Sequence, residues 1–325
     1  MKKGLIISLS LAMVFLFLLR LSLGSVIIPL QEFLNLENTN RIIVLSYRLP
    51  HAITAVFAGI ILSVSGLLMQ SIFRNPLAGP FVLGVSSGAS LMAALVLMTG
   101  FSSLLSGLGI SIAAIIGSLG VVFLISLISA RFSDNFTLLI FGLMLGYVFS
   151  AMQGLMEYFG EARSLKSFVV WGMGSFGKLS EFWEFVLLGL SALGVLLFAL
   201  LNSRKMDLYA LGDDYAKLEG VNVKKLKILV LMVVGVAAGV LTGFCGPIAF
   251  LGIAVPHLAF LFLKTKKHVP WIVISSIIGV LTALFCDIVA EVPGVAITLP
   301  INVITCVVGA PIVIWVLLKS KRILT

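Results

Sequence analysis

Residues 183–202 read WEFVLLGLSALGVLLFALLN, a 20-residue stretch in which Glu184 is the sole charged side chain. An α-helix of this length extends about 30 Å, which is the thickness of the hydrocarbon core of a bilayer. A buried helix of a soluble protein rarely keeps such a run without a polar face. The stretch therefore predicts a membrane-spanning helix.

The rest of the chain has the same character. Of its 325 residues, 60% are hydrophobic and 11% are charged, whereas soluble domains carry roughly 25% charged residues. We therefore predict an all-α polytopic membrane protein, a single transmembrane domain over residues 1–325 with about ten transmembrane helices. The first apolar run resembles a signal peptide, but we interpret it as a retained span. The predicted spans are 4–23, 52–72, 81–99, 108–130, 137–157, 183–202, 227–244, 249–263, 270–289 and 302–318.

The charges between these spans fall into two unequal groups. The side that holds both termini collects 16 basic and five acidic residues, and the opposite side has six basic and eight acidic residues. Basic connecting loops stay in the cytoplasm, so both termini are predicted to be cytoplasmic. The net charge of +9 then reflects membrane topology and not a nucleic-acid-binding surface.

Several kinds of chemistry are disfavoured by the sequence. GMGSFGK at 172–178 resembles a phosphate-binding loop, but Leu179 stands where Ser or Thr is needed, and the stretch lies on the outer side, where there is no ATP. We interpret it as a glycine-rich bend. The three cysteines and three histidines lack metal-ligand spacing, so we expect no metal site, no cofactor and no enzymatic activity.

Small residues recur at a spacing of four. They form Gly84–Gly88, Gly142–Gly146 and the series Gly235, Gly239 and Gly243. In membrane helices this spacing lets two backbones approach closely. The pattern predicts tight helix packing.

The largest cytoplasmic segment, 204–227, contains the amphipathic piece DDYAKLE between two glycines. Leu211, Tyr215 and Leu218 recur at i, i+4 and i+7, so they share one helical face. That face needs either a protein partner or the lipid headgroups to cover it. Acidic side chains at the start of the piece suit the helix dipole.

Six ordered blocks resemble the FecCD-type permeases, the membrane subunits of ATP-binding-cassette (ABC) importers for iron-siderophore complexes, haem and cobalamin. The resemblance covers nearly the whole chain. The blocks are RLPH (48–51), SGLLMQSIFRNPLAGPFVLGVSSGAS (65–90), SFVVWGMGS (167–175), ALGDDYAKLEGVNV (210–223), GPIAFLGIAVPHL (246–258) and LPINVITCVVGAPIVIWVLLK (299–319).

The resemblance implies a homodimer in a bacterial cytoplasmic (inner) membrane, two separate ATPase subunits, and a periplasmic or lipid-anchored solute-binding protein. ATP hydrolysis would then lie on another chain. The cytoplasmic piece would be the coupling helix that docks in a cleft of the ATPase. Its residues would be Leu211, Gly212, Asp213, Asp214, Tyr215, Leu218, Gly220 and Val221.

The resemblance also assigns a gate, a path and a docking surface. The turn Asn75-Pro76-Leu77, with Asn135 opposite, would form a cytoplasmic gate, although a rigid turn is an equal alternative. Weaker candidates for the translocation path, on the fifth and tenth spans, are Met144, Gln153, Met156 and Asn302, while methionine in a helix also serves packing.

The candidate docking surface for the binding protein departs from the family pattern. Family members often have Arg-Leu-Pro-Arg and a further arginine at the outer end of the ninth span, where this chain has Arg48-Leu-Pro-His51 and Glu291. We therefore predict that the binding protein carries a basic group near Glu291. A stand-alone passive channel or secondary carrier is the alternative function, disfavoured because the spans lack charged groups at mid-membrane.

Overall fold

The computed structural model describes residues 3–29, 38–99, 108–129, 134–263, 265, 267–291 and 298–321. All ten predicted spans coincide with helices in these ranges. Seven helices are long and apolar enough to cross a membrane, and three shorter apolar helices, Val85–Met98, Leu251–Leu263 and Ile301–Trp315, complete the set. The prediction of about ten transmembrane helices is confirmed.

The helices run in chain order as follows. Bounds are α1 Lys3–Ser22, α2 Asn38–Ile42, α3 Leu49–Phe73, α4 Val85–Met98, α5 Leu108–Ser129, α6 Asn135–Phe159, α7 Ala162–Gly172, α8 Phe182–Leu201, α9 Ser203–Ala210, α10 Asp213–Leu218, α11 Val223–Cys245, α12 Leu251–Leu263, α13 His268–Ala290 and α14 Ile301–Lys321. A π-helical turn, Ile43–Arg48, joins α2 to α3, and a 3₁₀ turn, Pro80–Leu83, precedes α4.

Helix α3 is the centre of the bundle. Seventeen of its 25 residues are buried, and it packs against α1, α6, α8, α11, α12 and α13. Glycines allow the closest of these approaches, because a Cβ at Gly66 would lie 1.7 Å from the Gly252 carbonyl oxygen on α12. Helix α3 therefore links the outer and cytoplasmic sides through the core.

The predicted small-residue packing is confirmed. Gly235, Gly239 and Gly243 on α11 face α5, where an added Cβ would overlap Val122, Ser118 and Ile115 in turn. Gly84 lies against the backbone of Gly142 and Gly146 on α6, and Gly88 against Gly117 on α5.

Three short elements escaped the sequence analysis, and one of them, α9, lies in the cytoplasmic segment between α8 and α11. Helix α2 with the π-helical turn extends α3 at its outer end, and α7 lies between α6 and α8. Helix α7 is too short, at 11 residues, to register as a span. It buries Phe168 and Trp171, which stack with ring centroids 6.0 Å apart.

Candidate functional site

The cytoplasmic segment between α8 and α11 folds into two short helices, α9 and α10. Gly212 separates them with φ of 134°, and Gly220 follows α10 with φ of 80°, backbone conformations that favour glycine. Asp213 and Asp214 lie in the first turn of α10 and Lys217 in its last, in the order that suits the helix dipole. The helix predicted at DDYAKLE is present.

The predicted apolar face of this segment is open to solvent in the isolated chain. Leu218 is 87% exposed, Leu211 68% and Tyr215 46%. Ala216 and Val221 point the other way and are buried in the main core. The segment therefore divides into an inner anchor and an outer apolar face, and Val221 belongs to the anchor.

Arg74 joins this segment to the end of α3. Its Nη2 donates to Asp213 Oδ1 at 2.6 Å and to the Tyr209 carbonyl oxygen at 2.8 Å, and its guanidinium lies 4.5 Å from the centroid of the Tyr209 ring. Lys227 Nζ approaches Asp213 Oδ2 at 3.8 Å. Arg74 adopts a positive φ of 48° as the cap of α3, which aims its side chain at the segment.

Tyr209 forms a second link and is fully buried. Its hydroxyl donates to the Ile72 carbonyl oxygen at 2.9 Å and accepts from Asn135 Nδ2 at 3.2 Å. Asn135 Nδ2 also donates to the same carbonyl oxygen at 2.8 Å. Burial raises the pKa of the Tyr209 hydroxyl above its ordinary value, which keeps the hydroxyl protonated and able to donate.

A third link runs through His268 at the start of α13. Asp207 Oδ1, on α9, accepts from the His268 backbone N–H at 2.9 Å and lies 2.6 Å from its Nδ1. The other ring nitrogen, Nε2, lies 3.0 Å from Ser71 Oγ on α3. Helix α9 is thus attached to the cytoplasmic ends of both α3 and α13.

The predicted gate turn follows directly after Arg74. Asn75 Oδ1 accepts from the Leu77 N–H at 2.9 Å, and His257 Nε2 on α12 lies 2.7 Å from the Pro76 carbonyl oxygen. Leu77 is 42% exposed. Asn135, predicted to stand opposite, is attached to Ile72, three residues before Asn75. The structure therefore brings the gate residues and the coupling segment together at one end of α3.

The three residues predicted for docking lie together at the outer ends of α3 and α13, but their bonds point inward. Arg48 is 3% exposed, and its Nη1 donates to the carbonyl oxygens of Leu21 and Ser22 at 2.8 Å each. Its Nη2 donates to the carbonyl oxygen of Val26. Arg48 therefore fastens the chain that follows α1, and in this conformation it is not presented to a partner.

Glu291 is engaged within the chain as well. Its Oε2 accepts from Arg20 Nη2 at 2.6 Å, and Arg20 Nε donates to Asp287. His51 Nδ1 lies 3.5 Å from Asp287 Oδ1. Glu291 is thus already paired with a cation of its own chain, Arg20, and the basic group predicted on the binding protein stays a prediction. A docking role for His51 and Glu291 stays a prediction.

The structure does not gather the four predicted path residues. Met144 is 47% exposed and lies on the face of α6 opposite Gln153, since nine residues turn an α-helix by about 180°. Met156 packs beside a buried cluster that contains Phe168 and Trp171. Asn302 Oδ1 accepts from the Ala249 N–H at 3.0 Å. A path role for these four residues stays a prediction. Of the four, the exposed Met144 fits that role best.

Comparison with known families decides the classification. Residues 12–319 match the FecCD transport family. The chain belongs to this family.

Two relatives of the FecCD chain are named transport proteins. The vitamin B12 import system permease protein BtuC of Klebsiella pneumoniae subsp. pneumoniae is 32% identical over 306 residues, 94% of this chain and 90% of that protein. The hemin transport system permease protein HmuU of Yersinia pestis is 32% identical over 283 residues, 86% of this chain and 84% of that protein.

Solved structures agree with the FecCD classification. A protein assigned as a metal-chelate type ABC transporter, in an inward-facing conformation, superposes with a TM-score of 0.88 at 27% identity, covering 97% of this chain and 99% of that chain. PsaBC from Streptococcus pneumoniae shares the fold at a TM-score of 0.58 and 15% identity, covering 86% of this chain and 93% of that chain.

Several residues of the FecCD chain escaped the sequence analysis. They are Arg20, Arg74, Asp207, Tyr209, His257 and His268. Two of them left a signal. Arg20 is a charged residue at the end of an apolar span, and charges in that setting are commonly paired. Arg74 stands beside a proline-broken helix end. For the other four, no local pattern distinguishes a buried polar side chain from an exposed one.

The glycine-rich bend of the FecCD chain connects α7 to α8. Gly174 adopts φ of 72°, and the Ser175 N–H donates to the Cys245 carbonyl oxygen at 2.8 Å. Lys178 Nζ donates to the Trp171 carbonyl oxygen at 3.0 Å. Burial lowers the pKa of Lys178 to about 8. The lysine of the stretch that resembles a phosphate-binding loop is therefore bound to backbone.

Proposed function

We propose that this chain is the membrane permease subunit of an ABC importer, and that separate ATPase subunits drive it. The observation that carries the proposal is the outer face of α10. Its exposed Leu218 and Tyr215 form a small apolar surface on the cytoplasmic side. Contact of this surface with water is unfavourable, and a protein partner that covers it would remove that cost. Membership of the FecCD family argues against the passive channel and the secondary carrier.

The cargo is a bulky organic chelate of a metal ion. Two relatives are named for vitamin B12 and hemin, which are both metal-containing macrocycles, and an iron-siderophore is the third member of this substrate class. A second copy of the chain completes the path, and a solute-binding protein delivers the chelate from outside. The complex lies in the bacterial cytoplasmic (inner) membrane. Residues 1–325 of each copy form a single permease domain.

The geometry supports a direct mechanical route from the ATPase to the gate. A displacement of α10 acts on Asp213, which is bonded to Arg74 at 2.6 Å. Arg74 immediately precedes the turn Asn75-Pro76-Leu77. Since the broken chain at this turn is able to rearrange without unwinding a whole span, a rigid shift of the coupling segment opens or closes the cytoplasmic mouth.

The test is a pull-down of the tagged chain from its native membranes in mild detergent, followed by an ATPase assay on the eluate. Wild type is compared with the double variant Tyr215→Asp, Leu218→Asp. Both changes place a charge in the apolar face. We expect an ATPase subunit to be recovered with wild type and lost from the double variant.

Lys224→Asp is the matched control, because Lys224 is exposed in the same cytoplasmic segment but lies outside the apolar face. We expect it to recover the ATPase as wild type does. Recovery of equal ATPase by the double variant would refute docking through α10. Recovery of no ATPase by any form would refute the importer assignment.

A further inference from the structure

A basic cavity of about 360 Å³ lies on the cytoplasmic side between the end of α8, α9 and the start of α11. Arg204, Lys205 and Lys225 line it, with Glu219 as the one acidic residue among its lining residues. The excess of two positive charges suits an anionic group such as a phosphate. Lys205 Nζ is held at the cavity by Asn202 Oδ1 at 3.0 Å.

The walls of this cavity turn apolar toward the membrane. Leu208, Leu226 and Leu229 line it beside the three cations. A free anion gains nothing from these leucines, whereas the glycerol backbone and first methylenes of a lipid bury apolar surface against them. The cavity lies where α8 reaches the cytoplasm and α11 re-enters the membrane, which is the depth of the lipid headgroups.

A second cavity of about 360 Å³ lies between α8 and α11 on the side of the basic cavity that is toward the middle of these helices. It is lined by α8 and α11 and includes Leu190, Gly194, Met232 and Val236. Met232 follows Leu229, the last α11 residue that lines the basic cavity, by three residues, a rise of about 4.5 Å along the helix. Gly194 leaves open space in this groove, since an added Cβ would meet no atom within 4 Å.

We propose that the two cavities together bind one anionic phospholipid of the cytoplasmic leaflet. Its phosphate lies among Arg204, Lys205 and Lys225, and one acyl chain follows the groove between α8 and α11 past Gly194. Basic pockets between membrane helices on the cytoplasmic side are recognised lipid-binding features. The lipid reaches the loop Glu219–Asn222 that follows α10, so it supports the coupling segment from its membrane side.

The test measures lipid retention by native mass spectrometry of the full chain purified in detergent and titrated with phosphatidylglycerol or phosphatidylcholine. The triple variant Arg204→Gln, Lys205→Gln, Lys225→Gln removes the cations. We expect its affinity for phosphatidylglycerol to fall at least tenfold, with phosphatidylcholine binding unchanged. Lys224→Gln is the matched control, because this neighbouring cation does not line the cavity, and it is expected to bind as wild type.

A second variant tests the acyl chain without changing charge. Gly194→Leu fills the open groove, and we expect it to lower phosphatidylglycerol affinity several-fold, while Gly154→Leu, placed in open space on α6, leaves it unchanged. This variant also keeps the proposal testable if the triple variant fails to fold, as judged by gel filtration.

Three results would overturn the proposal. One is equal phosphatidylglycerol binding by wild type and the triple variant, as expected if an acidic segment of a cytoplasmic protein is the true occupant. Another is full binding by Gly194→Leu. The third is displacement of the lipid by millimolar inorganic phosphate, which would make the basic cavity a free-anion site. Because lipid binding is measured on the chain alone, failure here leaves the importer assignment standing.

Discussion

At the residue scale, Tyr209 is the buried side chain that joins α9 to the ends of α3 and α6. Its ring lies under Arg74, and its hydroxyl bonds the last turn of α3 and the first residue of α6. A buried tyrosine that satisfies its hydroxyl in this way fixes the relative position of the groups it joins. The segment proposed to couple to the ATPase is therefore bonded to the helix ends that flank the turn proposed as a gate.

Removing the hydroxyl alone tests this role. Tyr209→Phe keeps the ring under Arg74 and loses both hydrogen bonds of the hydroxyl, at a stability cost of about 0.5–1.5 kcal/mol each. We expect ATP hydrolysis to continue and the amount of chelate transported per ATP to fall several-fold, because α10 then moves without displacing the gate. Both rates are measured in proteoliposomes.

The control for this variant is Tyr47→Phe, since Tyr47 is 66% exposed on the π-helical turn at the outer side. It is expected to keep the wild-type ratio of transport to hydrolysis. A Tyr209→Phe protein with that same ratio would rule out transmission through the hydroxyl.

Lys178 gives a prediction about pH. Burial lowers its pKa from the ordinary 10.5 to about 8, so between these values the unfolded chain holds a proton that the folded chain has released. Stability therefore rises with pH across this window. We expect the melting temperature of wild type to rise from pH 8 to 10.5 relative to Lys178→Met, which lacks the group; parallel melting curves of the two proteins would contradict the prediction.

At the element scale, the pairing of α5 with α11 depends on glycine. An added Cβ at Gly239 would overlap the side chain of Ser118, which is fully buried. Helices in a membrane gain little from hydrophobic exclusion and rely on such close contact for their association. The stripe of Gly235, Gly239 and Gly243 therefore allows α11 to pack closely against α5.

Enlarging the stripe is expected to separate the two helices. Gly239→Leu should lower the free energy of unfolding by about 1–3 kcal/mol or more through overpacking. Gly154→Leu, where an added Cβ meets no atom, should instead be neutral or slightly stabilising because leucine has the higher helix propensity. Thermal melting in detergent distinguishes them, and equal effects at the two sites would contradict the packing role.

At the scale of the whole molecule, one buried ion network attaches the N-terminal helix to the bundle. Arg20 is 1% exposed and pairs with Asp287 and Glu291 at the outer end of α13. Most of α1 otherwise shows an apolar, lipid-facing surface, on which Leu11 is 66% exposed. The network therefore adds a polar attachment to the apolar packing of α1 against α13.

Breaking this network should be costly. Arg20→Leu leaves Asp287 buried without its principal cation, and losses of about 3–5 kcal/mol are typical when one member of a buried pair is removed. The triple variant Arg20→Leu, Asp287→Leu, Glu291→Gln removes the carboxylates as well. We expect it to recover much of the lost free energy of unfolding. Chemical denaturation in detergent measures both, and a single variant as stable as wild type would show that the pair does not hold α1.

The sequence by itself determined the class of protein, the ten spans, the small-residue packing and the helix at 213–218. These features depend on composition and on patterns of apolar and small residues that repeat every three to four positions. Such patterns can be read from a short stretch of sequence without knowledge of the fold. Resemblance over six blocks added the FecCD family, which the match over residues 12–319 establishes.

Only the tertiary structure decided which polar groups meet. Arg20 and Asp287 are 267 residues apart in the chain, and Tyr209 and Ile72 are 137 apart. Burial, too, was decided by the tertiary structure. From the sequence, Arg48 is a candidate for a docking surface, whereas in the fold its guanidinium donates to backbone carbonyl oxygens. The reason is physical. A residue's partners depend on which helices pack side by side, and that choice is made by the summed fit of whole helix faces.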